Sequence, residues 1–271
     1  MNDRTLTNVA WLRRAPIWLG LAVIVGLSWL YLVNMSASIS GMPGMTSPMP
    51  VTGPVAMPTT APMTRAAPIE LLFTFIMWSV MMVAMMVPTA VPAISLFATL
   101  TGRRHPSQDP TAATLIYVSG YIAVWVGYSI FAALAQWTLT RAMLISPMAG
   151  SSSVTISALI LLGAGIYQFT PLKDACLTQC RSPLAFFMAE WRDGGRGAFV
   201  LGLRQGTYCV TCCWSLMAIM FVVGVMNLAA MALLTMFMLT EKVAPPAWHI
   251  NRVAGAALIA FGASIGAGPW L

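Results

Sequence analysis

Hydrophobic and polar positions fall in long blocks along the chain, and no extended stretch alternates at the two-residue period of a half-buried strand. Apolar runs occupy about residues 16–33, 69–99, 111–139, 154–169, 205–223, 228–240 and 253–269, separated by polar segments. Runs of this length and composition suit helices that cross a hydrocarbon layer about 30 Å thick. The pattern predicts an all-α polytopic membrane protein with about seven transmembrane helices. Pro88 and Pro92 fall inside the second run and are expected to kink it, because proline removes a backbone donor.

The same blocks divide the chain into three regions. Residues 1–35 hold a basic segment and the first helix. This apolar run is long for a signal peptide and is read as a retained span. Residues 36–68 form a Met/Pro-rich linker whose proline density disfavours helix; it is expected to be extended and periplasmic. Residues 69–271 form a six-helix membrane core. Within it, residues 171–204 are expected to be a polar connection, with "PLAFFMAEW" (183–191) making a short interfacial helix or turn.

Composition sharpens this reading. The chain is 59% hydrophobic and 8% charged, against about 25% charged in soluble domains. The net charge of +7 is scattered at the ends of apolar runs. It forms no basic stripe with interleaved aromatics, so nucleic acid is not an expected partner. Placing the N-terminus inside puts Arg4, Arg13, Arg14, Arg103, Arg104, Lys173, Arg181, Arg192, Arg196, Arg204, Lys242 and Arg252 on the cytoplasmic side. Only Arg65 and Arg141 then lie outside. This asymmetry predicts a cytoplasmic N-terminus, a periplasmic C-terminus and a bacterial inner-membrane location.

The candidate chemistry is sulfur. "TYCVTCCWSLM" (207–217) holds Cys209, Cys212 and Cys213 at i, i+3 and i+4, and "DACLTQC" holds Cys176 and Cys180 at i and i+4. Both spacings put their thiols on one helical face. The two groups sit near the same ends of neighbouring spans and are expected to converge at the inner interface. Thiolates favour Cu(I), zinc or iron–sulfur clusters. Met77, Met81, Met82, Met85 and Met86 make a thioether stripe on the second span, and Met42, Met45 and Met49 stand in the linker beside proline or glycine. Thioethers need no deprotonation and suit Cu(I), so the linker is expected to capture the ion weakly. The bland alternatives are that buried Cys and Met only pack and that the linker is a spacer.

Other polar residues divide between two expectations. Lys173, after Pro171, either snorkels to the interface or joins Arg204 as a possible partner of Glu241. His105 and His249 are expected in loops. No phosphate loop, metalloprotease helix or nucleophile elbow is present, so hydrolytic or acid–base catalysis is not expected, and no span carries the central carboxylate of a proton- or sodium-coupled transporter.

"YQFTPLKDACLTQCRSPLAFF", "GLRQGTYCVTCCWSLMAIMFVVGVMN" and "MWSVMMVAMMVPTAVP" together resemble a bacterial family of integral membrane proteins labelled "predicted metal-binding", a domain of unknown function. The resemblance covers about residues 70–262. It implies that Cys176, Cys180, Cys209, Cys212 and Cys213 are the family's signature thiols, and it implies neither a metal nor an activity.

The leading expectation is a membrane protein that binds a soft ion, copper before zinc, for copper handling or cuproprotein assembly. Its partners would be the lipid bilayer and a copper-accepting protein. One alternative is an accessory subunit docked on partner membrane subunits, with Gly26, Gly120, Gly127, Gly163 and Gly165 permitting close helix contact. Another is a membrane thiol oxidoreductase using the C-x-x-C of Cys209 and Cys212.

Overall fold

The computed structural model describes residues 3–40, 67–105, 110–146, 150–151 and 153–268. Among these the protein is almost wholly helical, as predicted. Two-residue strands, β1 (Ile145–Ser146) and β2 (Gly150–Ser151), pair antiparallel in the connection after α3. Five helices are long and apolar enough to cross a membrane. They are α1 (Asp3–Ser40), α2 (Ala67–Arg104), α3 (Pro110–Arg141), α7 (Gly194–Ala218) continued by α8 (Met220–Val223), and α10 (Ile250–Ala267). A sixth span arises if α4 (Val154–Tyr167) and α5 (Pro171–Arg181), bent by 65°, are taken together. α6 (Pro183–Glu190) and α9 (Leu228–Val243) complete the bundle. With 16 residues, α9 rises about 24 Å, short of a full hydrocarbon core.

Local chemistry explains the breaks. Ser153 caps α4 by accepting from Ile156 N. Thr170 accepts from Lys173 N at the start of α5, where Pro171 takes the first helical position. Pro171 leaves the Tyr167 carbonyl without its helical donor, and the Thr170 hydroxyl fills that place at 2.8 Å. The "GVMN" turn needs Gly224 at φ 95°, a region open to glycine. Asn227 then caps α9 through Ala230 N at 3.1 Å. In α2, Pro88 strips the Ala84 carbonyl of its donor. The Trp29 indole of α1 supplies one at 3.2 Å, and α2 runs as one helix through both Pro88 and Pro92.

The packing brings three long helices together around the future site. α3 packs on both α2 and α7, α5 packs on α7, and α4 packs on α10. Glycine sets two of these crossings. A Cβ on Gly120 would strike the Phe199 carbonyl of α7, and one on Gly202 would strike the Tyr117 carbonyl of α3. Gly165 and Gly255 face each other's carbonyls between α4 and α10. Of the glycines expected at helix contacts, Gly120 and Gly165 serve there, whereas Gly26, Gly127 and Gly163 have no atom within 4 Å of such a Cβ.

Several expectations change. α1 runs on to Ser40, past the predicted linker boundary, because the first proline of the linker comes only at Pro43. The remaining linker, including Met42, Met45 and Met49, lies outside the described residues. Residues 171–204, expected as a polar connection, are mostly helix. Their polar side chains pair with one another and with neighbouring helices, so polarity does not require a loop. Asn251 donates to Asp174 at 2.8 Å and Arg204 donates to Glu190. α7 consequently starts at Gly194, well before Gln205. α6 buries Phe186 and Phe187 against an aromatic group that includes Phe97 and Tyr117.

Candidate metal centre

The α7 thiols turn inward. Cys209, Cys212 and Cys213 are at most 1% exposed, and all five cysteines are unpaired in the disulfide sense. The 3.6-residue pitch puts the three on one face, and the Gly120–Gly202 crossing draws α3 against that face. Tyr121, next to Gly120, thereby brings its hydroxyl 3.1 Å from Cys209 Sγ. The same hydroxyl lies 3.3 Å from the Met86 carbonyl of α2. Cys212 and Cys213 stand with their sulfurs 3.2 Å apart, and Cys212 donates to the Cys209 carbonyl at 3.3 Å.

α5 adds the fourth thiol. Its buried residues Lys173, Cys176, Leu177 and Cys180 repeat at i, i+3, i+4 and i+7, a single face turned toward α7. Cys180 is close enough to Cys209 and Cys212 for their side chains to interact. Cys176 is buried too, but its side chain meets Thr211. The expected convergence of five thiols is thus a convergence of four, with Cys176 a turn away on α5 and packed beside the cluster.

Two residues that the sequence reading left in the background stand at the centre of the site. Lys242, at the end of α9, donates to Cys209 Sγ at 3.1 Å and to Thr89 at 2.6 Å. Tyr121 provides a further polar contact to Cys209. A cavity of about 270 Å³ opens onto this point, lined by Thr89, Tyr121, Cys180, Arg181, Gln205, Cys209 and Lys242 among others. Gln205 is buried and its Oε1 has no partner.

What holds Lys242 in place is a fully buried ion pair. Lys173 and Glu241 have side chains 0% and 1% exposed, with Nζ to Oε1 at 2.9 Å and to Oε2 at 3.1 Å. Gln168 accepts from the same ammonium. Arg181 Nε donates to the Glu241 carbonyl at 2.7 Å. The snorkelling reading of Lys173 is therefore corrected: α5 bends at Thr170 and carries the side chain inward, where Glu241 compensates its charge. Of the two partners expected for Glu241, Lys173 is the one found, while Arg204 bonds Glu190. Locking the end of α9 onto α5 aims the next residue, Lys242, at Cys209.

The methionines extend the sulfur surface. Met77, Met81, Met82, Met85 and Met86 are all buried, in one continuous core with the cysteines. Met217, Met220, Met231 and Met238 are completely buried there as well. The sequence reading missed these four. Met217 and Met220 follow Cys213 by four and seven residues, and Met238 follows Met231 by seven, so helical phase could have found them.

Among the described residues no group of three or more His, Cys, Asp or Glu side chains is arranged to hold a metal ion. The recorded rotamers direct Cys212 to a backbone carbonyl and Cys209 to Lys242 and Tyr121. Rotation about χ1 could redirect a thiol without moving a helix. The donor chemistry fits a soft ion: four thiols and a thioether-rich core, with Glu241 engaged by Lys173. His105 contacts Asp193 at 3.4 Å, and His249 heads α10, exposed; neither contributes.

Comparison with curated proteins gives no match, and comparison with solved structures gives none either. A family model does match. It spans residues 75–265 and is described as "PpoB2: Copper chaperone". The matched stretch begins just before the methionine stripe of α2 and contains all five cysteines, the Lys173–Glu241 pair and Lys242. It covers well over half of the chain, so this protein belongs to the PpoB2 copper chaperone family.

Proposed function

We propose that the protein carries Cu(I) within a bilayer and hands it to a copper-requiring protein. Cys209, Cys212, Cys213 and Cys180 bind the ion, and the buried methionines of α2, α8 and α9 and at the end of α7 offer weaker sites leading to them. One observation carries this reading: four reduced thiols from two helices meet in a buried patch beside a cavity, in a chain of a copper chaperone family. Thiolates set high affinity, while thioethers bind weakly enough to release. Such a gradient suits a carrier better than a structural site. Copper here is cargo. The bacterial inner membrane and capture by Met42, Met45 and Met49 belong to the same proposal. Zinc shares the thiolate preference and is the natural competitor.

The test uses purified full-length protein in detergent, kept anaerobic and loaded with Cu(I). Thiolate-to-copper absorption in the near ultraviolet and a stoichiometry of one or more Cu(I) per chain are expected. Replacing Cys212 and Cys213 together by Ser should lower both the absorption and the affinity for Cu(I). Unchanged Cu(I) binding in that double variant refutes the assignment.

A further inference from the structure

We infer that the cavity beside Cys209 is an exchange port that takes copper as an anionic Cu(I)–thiol complex, with Arg181 and Lys242 recognising the negative charge of the delivering thiol. The inference rests on the copper reading and goes further by naming the chemical class of the donor.

Four observations point to it. The cavity is lined by Cys180 and Cys209, and neither Cys212 nor Cys213 is part of its lining. The port thus exposes the first two sulfurs of the cluster and no more. Both charged groups in its described lining, Arg181 and Lys242, are cationic, and that lining contains no carboxylate. A bare cation would meet an unfavourable field at such an entrance. An ion wrapped by thiolates, which carries net negative charge, would meet a favourable one. Gln205 Oε1 is buried and lacks a donor, so the port also offers an acceptor for an N–H or O–H of the incoming molecule. A volume of about 270 Å³ lies just under the usual range for small-ligand sites, the size of a thiol carrier and too small for a protein domain.

The exchange balances without an oxidant. A bis-thiolate Cu(I) complex bearing one negative charge enters. Cys209 Sγ forms a bond to copper as one donor sulfur leaves. The proton lost by Cys209 goes to the departing thiolate, which exits as a neutral thiol. Copper stays monovalent, and the complex on the protein still carries one negative charge. Lys242, already 3.1 Å from Cys209 Sγ, stands where that charge is retained. Cys180 can then displace the second donor thiol by the same step, and Cys212 and Cys213 draw the ion inward.

The experiment compares two Cu(I) donors under anaerobic stopped flow with purified full-length protein: the mercaptosuccinate complex, rich in carboxylates, and the 2-mercaptoethanol complex. Transfer from the carboxylated donor is expected to be at least about 10-fold faster at low salt. The advantage should shrink as ionic strength rises. In the Arg181→Gln, Lys242→Gln variant the ratio of the two rates should fall to about one, and in Arg181→Lys, Lys242→Arg it should persist. The ratio is insensitive to a general loss of affinity, and the salt series on the unaltered protein needs no variant to fold. Equal rates from the two donors, or a preference unmoved by salt, overturn the proposal. Copper uptake that persists at full stoichiometry after Cys209, Cys212 and Cys213 are all changed to Ser refutes the underlying site assignment instead.

Discussion

Removing either member of the Lys173–Glu241 pair should destabilise the protein more than removing both. The two side chains are essentially unexposed and bonded through both carboxylate oxygens. Lys173→Met would strand a buried carboxylate and also take the donor from Gln168 Oε1. Glu241→Leu would strand a buried ammonium. Leaving one charge of a buried pair uncompensated costs about 3–5 kcal/mol. At roughly 2–4 °C per kcal/mol for a chain of this size, each single variant should lose about 6–20 °C in thermal midpoint. The double variant removes both desolvation penalties and replaces them with apolar volume, so it should return to within about 1–2 kcal/mol of the parent. Differential scanning fluorimetry in one detergent, across the full double-mutant cycle, reads the coupling directly. A double variant as unstable as the sum of its parents would show that the pair is not energetically coupled. The proposed role in aiming Lys242 at Cys209 would then lose its support.

Three further outcomes can be checked. Cys176→Ser should retain the Cu(I) stoichiometry that Cys209→Ser lowers, because Cys176 meets Thr211; anaerobic titration against a Cu(I) chelator measures both. Gly202→Val should force α3 and α7 apart and cost about 1–3 kcal/mol by overpacking, whereas Gly127→Ala, with open space at its Cβ, should be neutral or gain up to about 1 kcal/mol; thermal midpoints distinguish them. Trp29→Phe should cost about 1–3 kcal/mol by leaving the Ala84 carbonyl bare, and Pro88→Ala in the same chain should recover much of that loss by restoring the backbone donor, as read in denaturation of the double variant.

The sequence made the helical blocks legible because apolar runs of membrane-spanning length have few other solutions. It also showed which thiols share a face, since i, i+3 and i+4 spacing translates directly into geometry. It failed where polar residues are satisfied by partners distant in the chain. Lys173, Asp174, Arg181 and Arg204 made residues 171–204 look solvated, yet each bonds a group on another helix or beyond the next turn. No local pattern announces that Glu241 waits 68 residues from Lys173. The place of Lys242 was hidden for the same reason, because its target is Cys209 and that contact depends on how α9 is clamped. Cys176 and Cys180 looked equivalent by spacing. The α5–α7 crossing separates them, sending one to Thr211 and the other to the thiol cluster.

Deep burial of the four thiols also governs timing. With sulfurs almost wholly shielded and a small cavity as their described approach, an ion bound there would be guarded by narrow access as much as by bond strength. Bulky scavengers would strip it slowly even when equilibrium favours them, and a small carrier able to fit the opening would unload it quickly. Custody of the cargo would then depend on who can reach it.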